Sequence, residues 1–283
     1  MNSLGPIRYL LVTQFIIFFL GLKDDIHPVS ANTKLLVQLI CSIILIFAGG
    51  IYIDNFYGVL GINNVPKPIA YIFTSFLFIS LINAFNLIDG IDWHAGLITI
   101  SSSIFLLIWF YINGFTTELA VTTALIGSTL AFLKYNKSPA RIFMGDTGSL
   151  LIGLTITYLI IKFIKLNHEQ TDLVLELRSA PTMAISLVFI PILDTCRVFF
   201  CRIMEKRSPF SPDRNHIHHI LVDKGYSHVK ASLILFSVNT LVILISYSLN
   251  QYTGKITVPL LFLTAFAILG FYTTSKIKRH YCL

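Results

Sequence analysis

Four polar clusters interrupt an otherwise apolar chain, and each holds residue types suited to handling phosphate. The first is Lys23-Asp24-Asp25-Ile26-His27, with Lys34 eleven residues beyond Lys23. Adjacent carboxylates repel, and they stay ionised only where a cation or hydrogen-bond donors lie close. A solvated loop in which one of the pair caps a helix is the plainer reading. The second cluster, NAFNLIDGID, spaces Asn83, Asn86, Asp89 and Asp92 three residues apart. On a helix these four fall near one face, and Gly90 marks where the helix loosens. Polar residues flush with apolar ones at a membrane boundary are costly and usually functional, although a helix end facing water also accounts for them.

The third cluster, SPARIFMGDTGS from Ser138 to Ser149, directly precedes an apolar run. Asp146 or Thr147 is placed to cap the helix starting there. The free N–H groups of a helix start, with the Thr147 and Ser149 hydroxyls, suit a phosphate. Arg141 stands nearby. The fourth cluster, SPDRNHIHH, holds Arg214, His216, His218 and His219. H-x-H-H matches no common zinc spacing. With Arg202, Lys206 and Arg207 close in sequence, it reads as an anion-gripping loop, or as a patch attracted to anionic lipid headgroups. Five acids (Asp24, Asp25, Asp89, Asp92, Asp146) and a basic loop suit phosphoryl transfer around Mg²⁺, which binds one or two carboxylates plus phosphate oxygens.

The elements that must position these residues are membrane helices. Hydrophobic residues make up 55% of the chain and charged residues 12%, too few charges to cover a soluble fold of this size. Apolar stretches recur at about 7–22, 33–53, 67–85, 95–112, 119–135, 147–166, 183–203, 230–249 and 256–275. Most approach the ~20 residues that cross the hydrocarbon as a helix. The expected fold is therefore all-α, a polytopic bundle of about nine membrane helices forming one domain over 1–283. The first stretch resembles a secretory signal but has no small-residue cleavage site after it.

With nine spans, one side of the membrane receives 15 of the 21 Lys and Arg, Arg197 included. The other receives Arg8, Lys67, Lys162, Lys165, Arg178 and Lys255. The excess marks the first side as cytoplasmic, and all four clusters fall there. The net charge of +7 thus reflects membrane topology, and nucleic acid is not an expected partner. The four cysteines form no CxxC pair and read as apolar packing residues. Asp194 is the one acid well inside a stretch, with Arg197 one turn away to pair with it. A cation-carrying transporter would need more such acids.

The segments GLKDDIHPVSANTKLLVQ, NAFNLIDGID, PARIFMGDTGSLLIG and SPFSPDRNHIHHIL together resemble the polyprenyl-phosphate N-acetylhexosamine-1-phosphate transferases, in the family's order. The H-x-H-H form is similar to the undecaprenyl-phosphate branch. The resemblance implies a bacterial inner-membrane enzyme that moves a sugar-1-phosphate from a UDP-sugar to polyprenyl phosphate, with Mg²⁺ (or Mn²⁺) and a cytoplasm-facing site. It leaves a homodimer open. It makes Asp24, Asp25, Asp89 and Asp92 the catalytic acids, and Asp146 a metal ligand with Asp25 and Asn86. Asn83, Asn86, Arg141, Ser149, Arg214, His216, His218 and His219 then bind substrate.

Two features depart from the family. Trp93-His94 stands where Gly-Leu is commoner, which alters the sugar pocket or repacks a helix start. Only one helix precedes Asp24, where the family has two more and a basic loop. The expectation is a longer gene product, or else an inactive relative that serves as a lipid-binding or assembly partner.

Overall fold

Local chemistry sets most of the helix ends. In the computed structural model, which describes residues 5–206 and 216–250, the α-helices are α1 (Ile7–Ile26), α2 (Ala31–Ile43), α3 (Lys67–Ile88), α4 (His94–Ile112), α5 (Thr116–Tyr135), α6 (Gly145–Glu169), α7 (Ala180–Leu187), α8 (Phe189–Met204), α9 (Ile217–Asp223) and α10 (His228–Ser248). Among the described residues there is no strand, only an isolated bridge between Asn55 and Asn64. Pro28 bars helical geometry at the residue before it, so α1 ends and His27 is extended (φ −139°, ψ 119°). Ser30 caps α2 by accepting the Thr33 N–H at 3.2 Å, and Ser227 caps α10 through Lys230 N–H at 3.3 Å. Pro68 lies in the first turn of α3, where its missing N–H costs nothing.

Among the described residues six helices are long and apolar enough to cross a membrane: α2 with the π-turn Ile44–Ala48, then α3, α4, α5, α6 and α10. The pair α7 and α8 makes a seventh if it counts as one span. α1 has the length, 20 residues, but carries Arg8, Lys23, Asp24 and Asp25. The protein is thus an all-α, multi-pass membrane bundle. The expected span at 256–275 lies outside the described residues.

Two expected spans differ from the structure. The stretch 33–53 stops being helical after Ala48, at Gly49-Gly50, where Gly50 has φ +66°. The stretch 183–203 is two helices bent by 75°. Pro191 explains the break, because it has no N–H to give and its ring clashes with the carbonyl four residues back, on Leu187. The groups freed by the break are satisfied by neighbouring helices. Ser102 and Asn239 (3.2 Å) donate to the Leu187 carbonyl, and the Ile190 N–H donates to Asn239 Oδ1 at 3.2 Å.

α6 is the innermost span, flanked most closely by α1 and α3. Glycine makes that closeness possible. A Cβ on Gly21 of α1 would lie 2.5 Å from Thr147 Cα, and one on Gly153 of α6 would lie 2.8 Å from Ile82 Cα. Without a hydrophobic drive between helices in lipid, such close backbone packing is what holds them together. It also brings the end of α1, the end of α3 and the start of α6 to one end of the bundle.

Candidate active site

Lys34, on the first turns of α2, is the hub of that end. Its ammonium donates to Asp24 Oδ2 at 2.6 Å and to Asp146 Oδ2. The other Asp24 oxygen accepts the Val29 N–H at 2.7 Å, which folds the α1–α2 turn back on the acid. Asn86 Nδ2 donates to Asp146 Oδ1 at 3.1 Å and to Ser149 Oγ at 2.9 Å. One cation therefore links the first and third sequence clusters, and one carboxamide links the second to the third.

Asp25 does something the sequence did not suggest. Its Oδ1 accepts the Asp146 N–H at 2.8 Å, and its Oδ2 accepts the Thr147 N–H at 3.0 Å and the Thr147 hydroxyl. An acid of α1 thus caps α6 across the bundle. No side chain of α6's own sequence caps it, so the expected capping by Asp146 or Thr147 is replaced by Asp25. Two of the helix-start N–H groups that suited a phosphate are taken by this carboxylate. Gly145 (φ +64°) makes room, since a Cβ there would lie 2.8 Å from Asp25 Oδ1.

Asp89 is the C-terminal cap residue of α3 and is largely enclosed. Its carboxyl accepts no hydrogen bond among the described residues. Burial, reinforced by the charges of Asp146 and Asp25, pushes its pKa up to about 7. Asp89 lies beside two other acids, Asp146 and Asp25, with the Lys34 ammonium on Asp146 and the His218 ring against the adjoining Gly90. Carboxylate and carboxamide oxygens are the donors that Mg²⁺ and Mn²⁺ take. Among the described residues no three acids or histidines stand together as a ready metal site; Asp89, whose carboxyl accepts no hydrogen bond there, is the acid with oxygens free to take an ion. The oxygens of Asp25 serve α6 and those of Asp146 accept from Lys34 and Asn86, so either acid would have to exchange a partner to take the ion.

Asp92 leaves this group. The α3 helix ends before it, so the three-residue spacing no longer describes one face. Ser232 Oγ donates to its backbone carbonyl at 2.7 Å, and His228 Nδ1 lies 3.5 Å from Oδ2, both on α10. Asn83 also sits apart, exchanging hydrogen bonds with Gln38 of α2 (2.7 and 3.3 Å). Trp93 repacks the helix start: its indole donates to the Leu133 carbonyl at 2.9 Å and its N–H to Asn136 Oδ1 at 2.7 Å. Arg141 is exposed. Arg214 lies outside the described residues.

The imidazoles form an adjoining group. His218 is 1% exposed and packs against Gly90, where any side chain would strike its Nε2. The next residue back is Asp89, so the His loop and the acid group meet at this turn. His216 and His218 lie nearly parallel with centroids 5.6 Å apart, and His219 is 4.2 Å from His218. His94, at the start of α4, adds a fourth ring 5.5 Å from His218. Burial, with His94 alongside, pushes the His218 pKa down to about 2, so the ring is neutral. It then offers one N–H and one lone pair, and neither nitrogen has a partner among the described residues. His216 Nδ1 lies 2.7 Å from Asp194 Oδ2, while Asp194 Oδ1 accepts the Ile217 N–H at 2.8 Å and faces Arg197 at 3.7 Å. The expected Asp194–Arg197 pair is present, and His216 joins it.

Sequence reasoning missed Lys34 as the hub and Asp194 as the anchor of the His loop. The only signals were a lysine one turn past the Ser30 cap and an acid stranded in an apolar run.

The profile of glycosyl transferase family 4 matches residues 7–164, and so covers Asp24 to Ser149. The chain is 28% identical over 267 residues to the undecaprenyl-phosphate alpha-N-acetylglucosaminyl 1-phosphate transferase of Escherichia coli O157:H7, spanning 90% of this chain and 70% of that one. It is 33% identical over 227 residues to a Bacillus subtilis (strain 168) protein named probable undecaprenyl-phosphate N-acetylglucosaminyl 1-phosphate transferase, spanning 80% and 61%. The Yersinia pestis counterpart of the first is 26% identical over 281 residues, spanning 98% and 73%. With more than half its length under the family profile, and the gathered acids within that half, the chain belongs to glycosyl transferase family 4.

Proposed function

We propose that this protein transfers a sugar-1-phosphate, N-acetylhexosamine-1-phosphate, from a UDP-sugar to undecaprenyl phosphate on the cytoplasmic face of a bacterial inner membrane. An oxygen of the lipid phosphate attacks the β-phosphorus of the UDP-sugar. One P–O bond forms, the bond to the UMP oxygen breaks, and a lipid diphospho-sugar and UMP result. One phosphoanhydride replaces another, so the reaction runs in both directions.

The observation that carries this reading is the group formed by Lys34, Asp24, Asp146 and Asn86, with the unpartnered Asp89 beside it. Phosphoryl transfer needs positioning and charge stabilisation more than covalent chemistry, and this group supplies both signs of charge at one end of the bundle. Asp89, Asp146 and Asn86 would hold a divalent ion such as Mg²⁺, Asp146 giving up a contact to Lys34 or Asn86 to do so, and the ion would supply neutralisation of the pyrophosphate. Lys34 holds Asp24 and Asp146 together. Asp25 keeps the start of α6, and with it Asp146 and Ser149, in place. The imidazoles meet the phosphates from the other side of the Asp89–Gly90 turn. The lipid and the sugar in this reading are those of the relatives, undecaprenyl phosphate and N-acetylglucosamine.

Exchange of labelled UMP into UDP-N-acetylglucosamine, in detergent with undecaprenyl phosphate, tests the proposal. The parent protein should catalyse it and Asp146→Asn should lose it by roughly a hundredfold or more, since a charged ligand supplies several kcal/mol to the transition state. Near-parental exchange by a folded Asp146→Asn would defeat the assignment.

A further inference from the structure

Asp194, on the second helix of the bent α7–α8 pair, is buried at 1% exposure, yet both its oxygens are spent on a loop 22 residues away. It lies on α8 just past the Pro191 break. Burying a carboxylate is costly unless it is paired and hydrogen-bonded. Here Arg197, His216 and the first N–H of α9 meet that need together. An ionised carboxylate only accepts hydrogen bonds, so the His216 Nδ1 facing it must carry the proton. The ring's tautomer is thereby set, and Nε2 is the nitrogen left to meet a substrate.

We propose that Asp194 is a positioning residue for the transfer reaction: it sets the His216 tautomer and pins the start of α9, which seats His218 against the Asp89–Gly90 turn. This rests on the transfer reading above. The arrangement parallels acid–histidine pairs in which a buried carboxylate orients an imidazole without touching substrate. His216 is 4% exposed and His218 1%, so both rings are held in place, and α9 is only seven residues long. A helix that short does not hold itself in register, and the anchor must come from outside it.

Asp194→Asn separates orientation from folding. The Ile217 N–H selects the carboxamide oxygen, as it now selects Oδ1, which turns the NH₂ toward His216 Nδ1. The ring must then accept at Nδ1 and carry its neutral proton on Nε2, the opposite tautomer. The backbone anchor and the shape are kept. The kcat for UMP exchange should fall by about tenfold or more, with KM for the UDP-sugar changed by less than about threefold, because the misoriented proton matters most in the transition state. In a His216→Ala background the same change should cost less than about twofold, since the ring it orients is gone.

A second variant tests the anchor with no need of activity. Asp194→Ala with Arg197→Met removes both charges together, which avoids stranding the arginine. Hydrogen exchange across 216–223 should then rise by about tenfold or more over the parent. Unchanged exchange in that variant, an unchanged kcat in Asp194→Asn, or additive losses with His216→Ala would each overturn the role. A parent inert in UMP exchange would overturn the transfer reading, and Asp194's part in it. Exchange protection lost in the charge-free variant would still show the anchor, so the two failures are told apart.

Discussion

Replacing Asp25 by Ala, and separately Gly145 by Ala, should produce the same defect from opposite sides of one contact. Asp25 closes the first turn of α6 with three hydrogen bonds, from two N–H groups and the Thr147 hydroxyl. Loss of a helix cap costs ~1–2 kcal/mol, and because Asp25 is exposed its charge adds little beyond that. Gly145→Ala leaves Asp25 in the chain but sets a methyl 2.8 Å from its Oδ1, at φ +64°, and so evicts the carboxylate. Both variants should raise amide exchange at 146–149 by roughly 5–30-fold, the factor that 1–2 kcal/mol commands. Asparagine should not rescue position 25. Each Asp25 oxygen faces a different backbone N–H, and an NH₂ group would oppose one of them. Because Asp146 and Ser149 ride on that turn, UMP exchange should fall in both variants while the half-saturating Mg²⁺ concentration shifts in both. If Asp25 were instead a metal ligand and not a cap, Asp25→Ala alone would shift the Mg²⁺ requirement. Exchange at 146–149 would stay parental, and that pair of results would refute the capping argument.

The Asp89 carboxyl, raised to about 7, is protonated in the metal-free fold at mildly acid pH, whereas the unfolded chain ionises near the ordinary aspartate value of 3.8. Metal-free stability should therefore be full below about pH 4 and decline as pH rises through 7, by an order of 2–4 kcal/mol. Melting in chelator at about pH 5 and about pH 8 should show the decline, with Mg²⁺ or Asp89→Asn removing most of it; a flat profile in chelator would count against the buried acid. Gly90→Ala should unseat His218 and lower UMP exchange by roughly tenfold or more with the protein still inserted, and parental activity would mean that the contact is incidental. If the proposed orientation holds, with the Lys/Arg-rich side cytoplasmic, cysteines placed at Asn215 and Tyr281 should label in spheroplasts only after permeabilisation. Labelling of either from outside would overturn the topology.

What the sequence disclosed was that the polar clusters share an end of the bundle; what it hid was which atoms meet. Six of the nine expected spans follow from composition, since a helix of apolar residues satisfies its own backbone and needs no partner to be recognised. Alternation of spans then sends 23–34, 86–94, 134–146 and the His loop to one side, and the structure gathers them there. The failures share a cause. Asp25 was legible as an acid and Thr147 as a helix start, but their pairing spans 122 positions and depends on Gly21 letting α1 touch α6. The three-residue spacing from Asn83 to Asp92 was true of the chain and false of the space, because Asp89 and Gly90 end the helix before the pattern is complete.

Pro191 carried a legible signal for a broken helix, yet hydropathy averages across a proline and reports one span. That break is where function and packing meet. A straight helix through 183–203 would leave no freed carbonyl at Leu187 for Ser102 and Asn239. The bend sets Asp194 against α9, where a single carboxylate holds His216 at one oxygen and the Ile217 N–H at the other. A charged group in a membrane helix is tolerated only where its partners repay the desolvation. Here those partners are Arg197, His216 and the Ile217 N–H, so the cost of burying Asp194 and the placement of His216 and His218 are one interaction seen from two ends.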